Sequence, residues 1–130
     1  MKSQHAYNLT PSEVAEHFAL RPATVRGFLR AGHLTGVRIG GAWRLSWSDV
    51  WAAESGPRPH GQRRDDYKQP LLTKRSLAAE WGVSERTVER WIQDGLPTRT
   101  VRGSVRIAPA DAASWMKATF DASLSKAATC

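Results

Sequence analysis

Cysteine occurs once, at Cys130, so no intrachain disulfide and no multi-thiolate metal site can form. The four histidines, His5, His17, His33 and His60, are scattered, and none has the spacing of a zinc or catalytic constellation. They read as ordinary surface or partly buried residues. No apolar run approaches the ~20 residues that span a bilayer, and MKSQHAYNLT lacks the hydrophobic core of a signal peptide. The expectation is a cytoplasmic, nucleoid-associated protein with no membrane contact. A nucleophile with its base, a carboxylate cluster and a phosphate-cradling loop are also missing, which argues against an enzyme, and no cofactor is implied.

What the chain has is positive charge. Lys plus Arg number 19 against 12 Asp plus Glu, a net +7 in 130 residues. Such a balance attracts polyanions, and nucleic acid is the commonest. Fourteen of the cations are Arg, whose planar fork pairs bidentately with phosphate or a guanine edge, although a GC-rich genome also raises Arg content.

The chain repeats itself. Residues 9–53 lie over residues 72–115 with one single-residue gap, at an offset of 63 before it and 62 after. Ala15 falls on Ala78, Phe18 on Trp81, Thr24-Val25 on Thr87-Val88, Phe28-Leu29 on Trp91-Ile92, Gly32 on Gly95, Gly41 on Gly103, Arg44-Leu45 on Arg106-Ile107, and Asp49 on Asp111. The fold class that follows is mainly α with small β-hairpin wings, arranged as two tandem units. The expected boundaries are a first domain at 1–54, a flexible basic linker at 55–70, a second domain at 71–120 and a disordered tail at 121–130. The linker holds three prolines, two glycines and six charges, and 16 residues reach up to roughly 50 Å when extended. Arg58, Arg63, Arg64 and Lys68 in it either touch phosphates or are merely solvated.

Each unit has the same grammar. Thr10-Pro11-Ser12-Glu13 is a capping box with proline at the first helical position, predicting a helix over 11–18 that buries Val14, Ala15 and Phe18. The second copy starts at Thr73 and buries Leu77, Ala78 and Trp81. A three-residue turn, Ala19-Leu20-Arg21 or Gly82-Val83-Ser84, precedes a second helix with Val25, Phe28, Leu29 or Val88, Trp91, Ile92 on its inner face. Two short helices on one tight turn are helix-turn-helix geometry. Ser84 is the better N-cap, and Gly32 and Gly95 end the second helices. Hairpins turning on glycine follow, then a third helix near Ser48 or Pro109, with Trp51 and Trp115 expected to close the cores and Trp47 expected to be exposed.

The outer face of the second helix carries Ala23, Arg26, Gly27 and Arg30 in the first copy and Arg86, Glu89, Arg90 and Gln93 in the second. A helix in the major groove reads base edges from such a face, so Arg26, Arg86 and Arg90 are candidate readers, and Arg30 and Gln93 are further candidate DNA-binding residues. Thr24, Ser84 and Thr87 sit at the helix start, near a phosphate or satisfying backbone amides. Arg38, Arg44, Arg99, Arg102 and Arg106 flank the hairpins, where a wing grips the backbone or minor groove. The competing reading is that Arg-rich faces of small helices are simply solvated.

The run Ser84-Glu-Arg-Thr-Val-Glu-Arg-Trp-Ile-Gln-Asp-Gly95, followed by Arg102-Gly103 and Val105-Arg106-Ile107, resembles the excisionase family and related MerR-like winged helix-turn-helix DNA-binding domains. The resemblance covers both copies, about 90 residues. It implies binding of double-stranded DNA, often at direct-repeat sites, with the second helix in the major groove and the wing on the minor groove. A small repressor or an excisionase-like directionality factor is the expectation, a monomer or a weak, cooperative oligomer on DNA. Ala19 stands where a turn glycine is usual, and Gly27 lies within the second helix, which puts base reading by the first copy in doubt. The alternative is an adaptor in which one copy binds DNA and the other docks a recombinase, an RNA polymerase or a packaging subunit.

Overall fold

The computed structural model describes residues 6–128, with side chains through residue 121. It is mainly helical, with two small two-stranded antiparallel sheets. The first half contains α1 (Pro11–Phe18), α2 (Pro22–Ala31), β1 (Val37–Ile39), β2 (Ala42–Arg44) and α3 (Trp47–Ala53). After β3 (Glu54–Ser55) and a 3-10 segment (Gly61–Lys68) come α4 (Lys74–Trp81), α5 (Glu85–Gln93), β4 (Thr100–Val101) and α6 (Pro109–Ala128). No described helix is long and apolar enough to cross a membrane.

Local chemistry sets the helix ends. Thr10 accepts from the Glu13 amide while the Glu13 carboxylate accepts from Thr10 N, closing a capping box, and Ser46 with Asp49 does the same for α3. In the second half Thr73 pairs with Ser76 instead. Both first helices stop on a left-handed residue, Gly82 (φ 66°) or Ala19 (φ 56°). Alanine in that conformation carries roughly 1–2 kcal/mol of strain that glycine avoids. The β1–β2 hairpin turns on Gly40-Gly41, both at positive φ, as a two-residue turn that follows the strand twist demands. The matching turn is Arg102-Gly103, with Val101 and Ser104 bridged across it.

The two halves match in architecture at a further point, where the residue before each first helix pairs with the residue after each hairpin: Leu9 with Leu45 and Leu72 with Ile107. Each half has its own apolar cluster. Phe18, Val14, Val25, Leu29, Leu45 and Val50 centre the first, and Leu77, Ala78, Val88, Leu96, Ile107 and Ala112 form the second. The first cluster is not self-contained, because Leu71, Val101 and Ala108 from beyond the linker complete it.

That shared core corrects the linker expectation. Residues 55–70 do not hang free: β3 pairs with β4 in the register Glu54 to Val101 and Ser55 to Thr100, and Leu71 N donates to His17 O at 2.8 Å. Tyr67 packs on the first cluster, accepts from Trp51 Nε1 at its carbonyl and donates its hydroxyl to Asp111 Oδ1 at 2.6 Å. Burial first, then the Asp111 hydrogen bond and charge, hold the Tyr67 phenol above its ordinary pKa.

Three smaller expectations also change. The backbone from 121 to 128, expected as a disordered tail, continues α6, while residues 129–130 lie outside the described residues. Trp47 is half-buried, edge-on to His17 at 4.9 Å, rather than exposed. Trp81 is 46% exposed although it falls on the predicted apolar stripe.

Candidate nucleic-acid interface

α2 and α5 are each anchored by one apolar face and leave the other to solvent. Val25 and Leu29 are buried on α2 and Val88 on α5, with Phe28, Trp91 and Ile92 half-buried beside them. The opposite face of α5 places Arg86, Glu89, Arg90 and Gln93 at i, i+3, i+4 and i+7, lining one shallow solvent groove. On α2 the corresponding face presents Arg26 and Arg30, both exposed, with only Ala23 and Gly27 beside them. Arg26, Arg30, Arg86 and Arg90 join no ion pair among the described residues, whereas Glu89 is drawn to Lys74 at 3.4 Å.

The helix-start residues serve the backbone. Ser84 caps α5 by accepting from Thr87 N at 3.1 Å, and its hydroxyl meets that of Thr87 at the same distance. Arg21 makes no such bond, so α2 begins on Pro22 alone. Thr24, half-buried, makes no side-chain hydrogen bond among the described residues.

The five hairpin arginines divide sharply. Arg38 and Arg102 are exposed at the two turns, Arg38 stacking over Trp43 at 5.2 Å and donating to Gly41 O at 2.7 Å. Arg44 is half-buried and donates to Trp43 O at 3.0 Å. Arg106, expected to grip DNA, instead donates from Nε to Phe18 O at 2.8 Å and from Nη2 to Ala19 O at 3.0 Å, satisfying the last carbonyls of α1. Desolvation in that position pushes its pKa below the ordinary arginine value.

Arg99 is the clearest correction: at 1% exposure it is out of reach of any DNA. Its Nε donates to Glu54 Oε1, and Glu54 Oε2 accepts from His17 Nε2 at 2.9 Å. The guanidinium lies over Tyr67, 5.3 Å from the ring centroid, and a Cβ on Gly56 would sit 2.9 Å from Arg99 Nη1, so a larger residue there would push the guanidinium aside. His17 Nδ1 and Arg99 Nη2 have no hydrogen-bond partner among the described residues. Charge this deeply buried contributes little net stability, but removing one member strands the others. The cluster therefore fixes how the halves meet. Strand alternation was the available signal, since Arg99 shares a face with the buried Val101 while Thr100 takes the other. His17, placed among ordinary histidines in the sequence, and Glu54 carried no comparable mark.

The site thus consists of two exposed cationic helix faces and two exposed turn arginines, on halves joined by a common core. No known family, no curated protein and no solved structure matches this chain.

Proposed function

We propose that the chain is a two-headed reader of double-stranded DNA, built as tandem winged helix-turn-helix units with α2 and α5 as recognition helices and the Gly40-Gly41 and Arg102-Gly103 turns as wings. The observation that carries this reading is the pair of solvent-facing arginine sets on equivalent helices, Arg26 with Arg30 and Arg86 with Arg90, which join no ion pair among the described residues, in a chain of net charge +7. Arginine forks at such spacing suit guanine edges and phosphates. The shared core and the Glu54 cluster make the two heads one body, which favours two adjacent elements in direct orientation at a fixed spacing, one helical turn apart. Acting by occupying such a site, the protein serves as a small transcriptional regulator or a recombination directionality factor on nucleoid DNA, with no catalytic role.

Selection of duplexes from a random pool, followed by fluorescence anisotropy at rising salt, tests the reading. The expected result is an enriched direct repeat, bound with an affinity that falls steeply as salt rises. Absence of duplex binding at low salt overturns it. Loss of a protein partner without loss of DNA affinity in Arg26→Ala with Arg30→Ala would make the first half the adaptor surface for a recombinase or polymerase.

A further inference from the structure

The contact between the halves supplies a template. In it, the strand side of the second half meets the end of the first helix of the first half: Val101 enters the first core, and Arg106 binds the carbonyls of Phe18 and Ala19. The repeat gives each half both surfaces, so one of each is left over. The second half keeps an open helix end, where Trp81 and Gly82 correspond to Phe18 and Ala19. Phe18 is fully buried, but Trp81 is 46% exposed. The first half keeps an open strand side, where Ile39 and Arg44 correspond to Val101 and Arg106. Val101 is 1% exposed, but Ile39 is 48% exposed.

Two of the largest exposed apolar side chains of the molecule therefore stand where the chain's own interface buries their counterparts. Arg44 is already posed for the same contact. Its Nη1 donates to the preceding carbonyl, Trp43 O, at 3.0 Å, as Arg106 Nη1 donates to Val105 O at 2.9 Å. Its Nε and Nη2, the atoms Arg106 uses on the end of α1, make no hydrogen bond among the described residues.

We infer that a second copy of this chain docks head-to-tail, its Ile39 against Trp81 and its Arg44 on the carbonyls of Trp81 and Gly82. The hairpin that carries Ile39 and Arg44 is also the wing of the proposed DNA reader, but the proposed contact follows from an interface the molecule already makes and not from DNA binding. The contact joins unlike faces, so it leaves one open face at each end and propagates rather than closing as a two-fold dimer. It is also the weaker version: the residues matching Glu54 and Ser55 are Met116 and Lys117, which lie inside α6, so neither the strand pairing nor the buried acid is reproduced.

Sedimentation velocity of the full chain without DNA tests it. At concentrations up to ~1 mM, the weak limit of specific association, the weight-average mass should rise past that of a dimer. Trp81→Glu and Ile39→Asp should each hold the protein at a single chain with unchanged circular dichroism, because both side chains are about half exposed. Trp81→Ala replaces the first variant should it unfold. An equimolar mixture of the two variants should form a dimer and nothing larger, each supplying the face the other lacks. A wild-type chain that stays monomeric, an assembly that stops at the dimer or survives either variant, or a mixture that fails to pair would each overturn the inference.

Discussion

The two halves of this chain share one pattern and end in different circumstances. Phe18 and Trp81 occupy the same repeat position on equivalent helices, yet one is fully buried and the other nearly half exposed. The difference lies outside each half: Leu71, Val101, Ala108 and Arg106 of the second half cover the end of α1, and nothing among the described residues covers the end of α4 in the same way. Helical periodicity shows which residues could face a core. It does not show whether a neighbour arrives to complete that core.

The largest test of this comparison is the buried acid. Glu54→Ala leaves Arg99 and His17 buried without their carboxylate, and should destabilise the fold by ~3–5 kcal/mol in chemical denaturation. Replacing the cluster as a whole by apolar residues of similar volume should cost far less, since the desolvation penalty goes with the charges. Next come the paired aromatic positions. Phe18→Ala should cost ~3–5 kcal/mol, whereas Trp81→Ala, which vacates a half-exposed site, should cost less than about 1 kcal/mol. Equal costs would mean that the two helix ends are equally covered.

Two smaller effects sharpen the contrast. Ala19→Gly should stabilise the protein and Gly82→Ala destabilise it, each by about 1 kcal/mol, because both positions are left-handed and only one carries the glycine. Tyr67→Phe should cost ~1 kcal/mol through loss of the Asp111 bond. The Tyr67 phenol titrates above its unfolded value. Its contribution is therefore fully present below about pH 10 and is lost as pH rises through the raised folded value, so the wild type and Tyr67→Phe should converge in stability under strongly alkaline conditions.

Much of the local structure was legible in the sequence. The Thr10 to Glu13 box, the Ser84 cap, the glycine hairpin turns and the apolar faces of α1, α2 and α5 depend on residues a few positions apart, so short-range chemistry suffices to place them. The exposed faces bearing Arg26, Arg30, Arg86 and Arg90 followed from the same periodicity. The seam was not legible. Glu54 and Arg99 are 45 residues apart, and a proline-rich, charged stretch between them has the composition of a free linker. It is held by the pairing of Ser55 with Thr100 and by Tyr67, which reaches both halves, with its ring beside Arg99 and its hydroxyl on Asp111. Arg99 and Arg106 look like wing residues by position. Only tertiary contact shows that one is sealed in the seam and the other closes α1.

If the proposed function holds, halves joined in this way read DNA as one body, and the spacing of the selected site tests that most directly. The affinity of the full chain should be measured for the selected duplex and for the same duplex with five base pairs, about half a helical turn, inserted between its two elements. Tight binding of the first is expected, and a loss of at least ~100-fold for the second, down to the affinity of a single element. Equal affinity for both duplexes would contradict the rigid seam, and binding to neither would contradict the DNA reading itself.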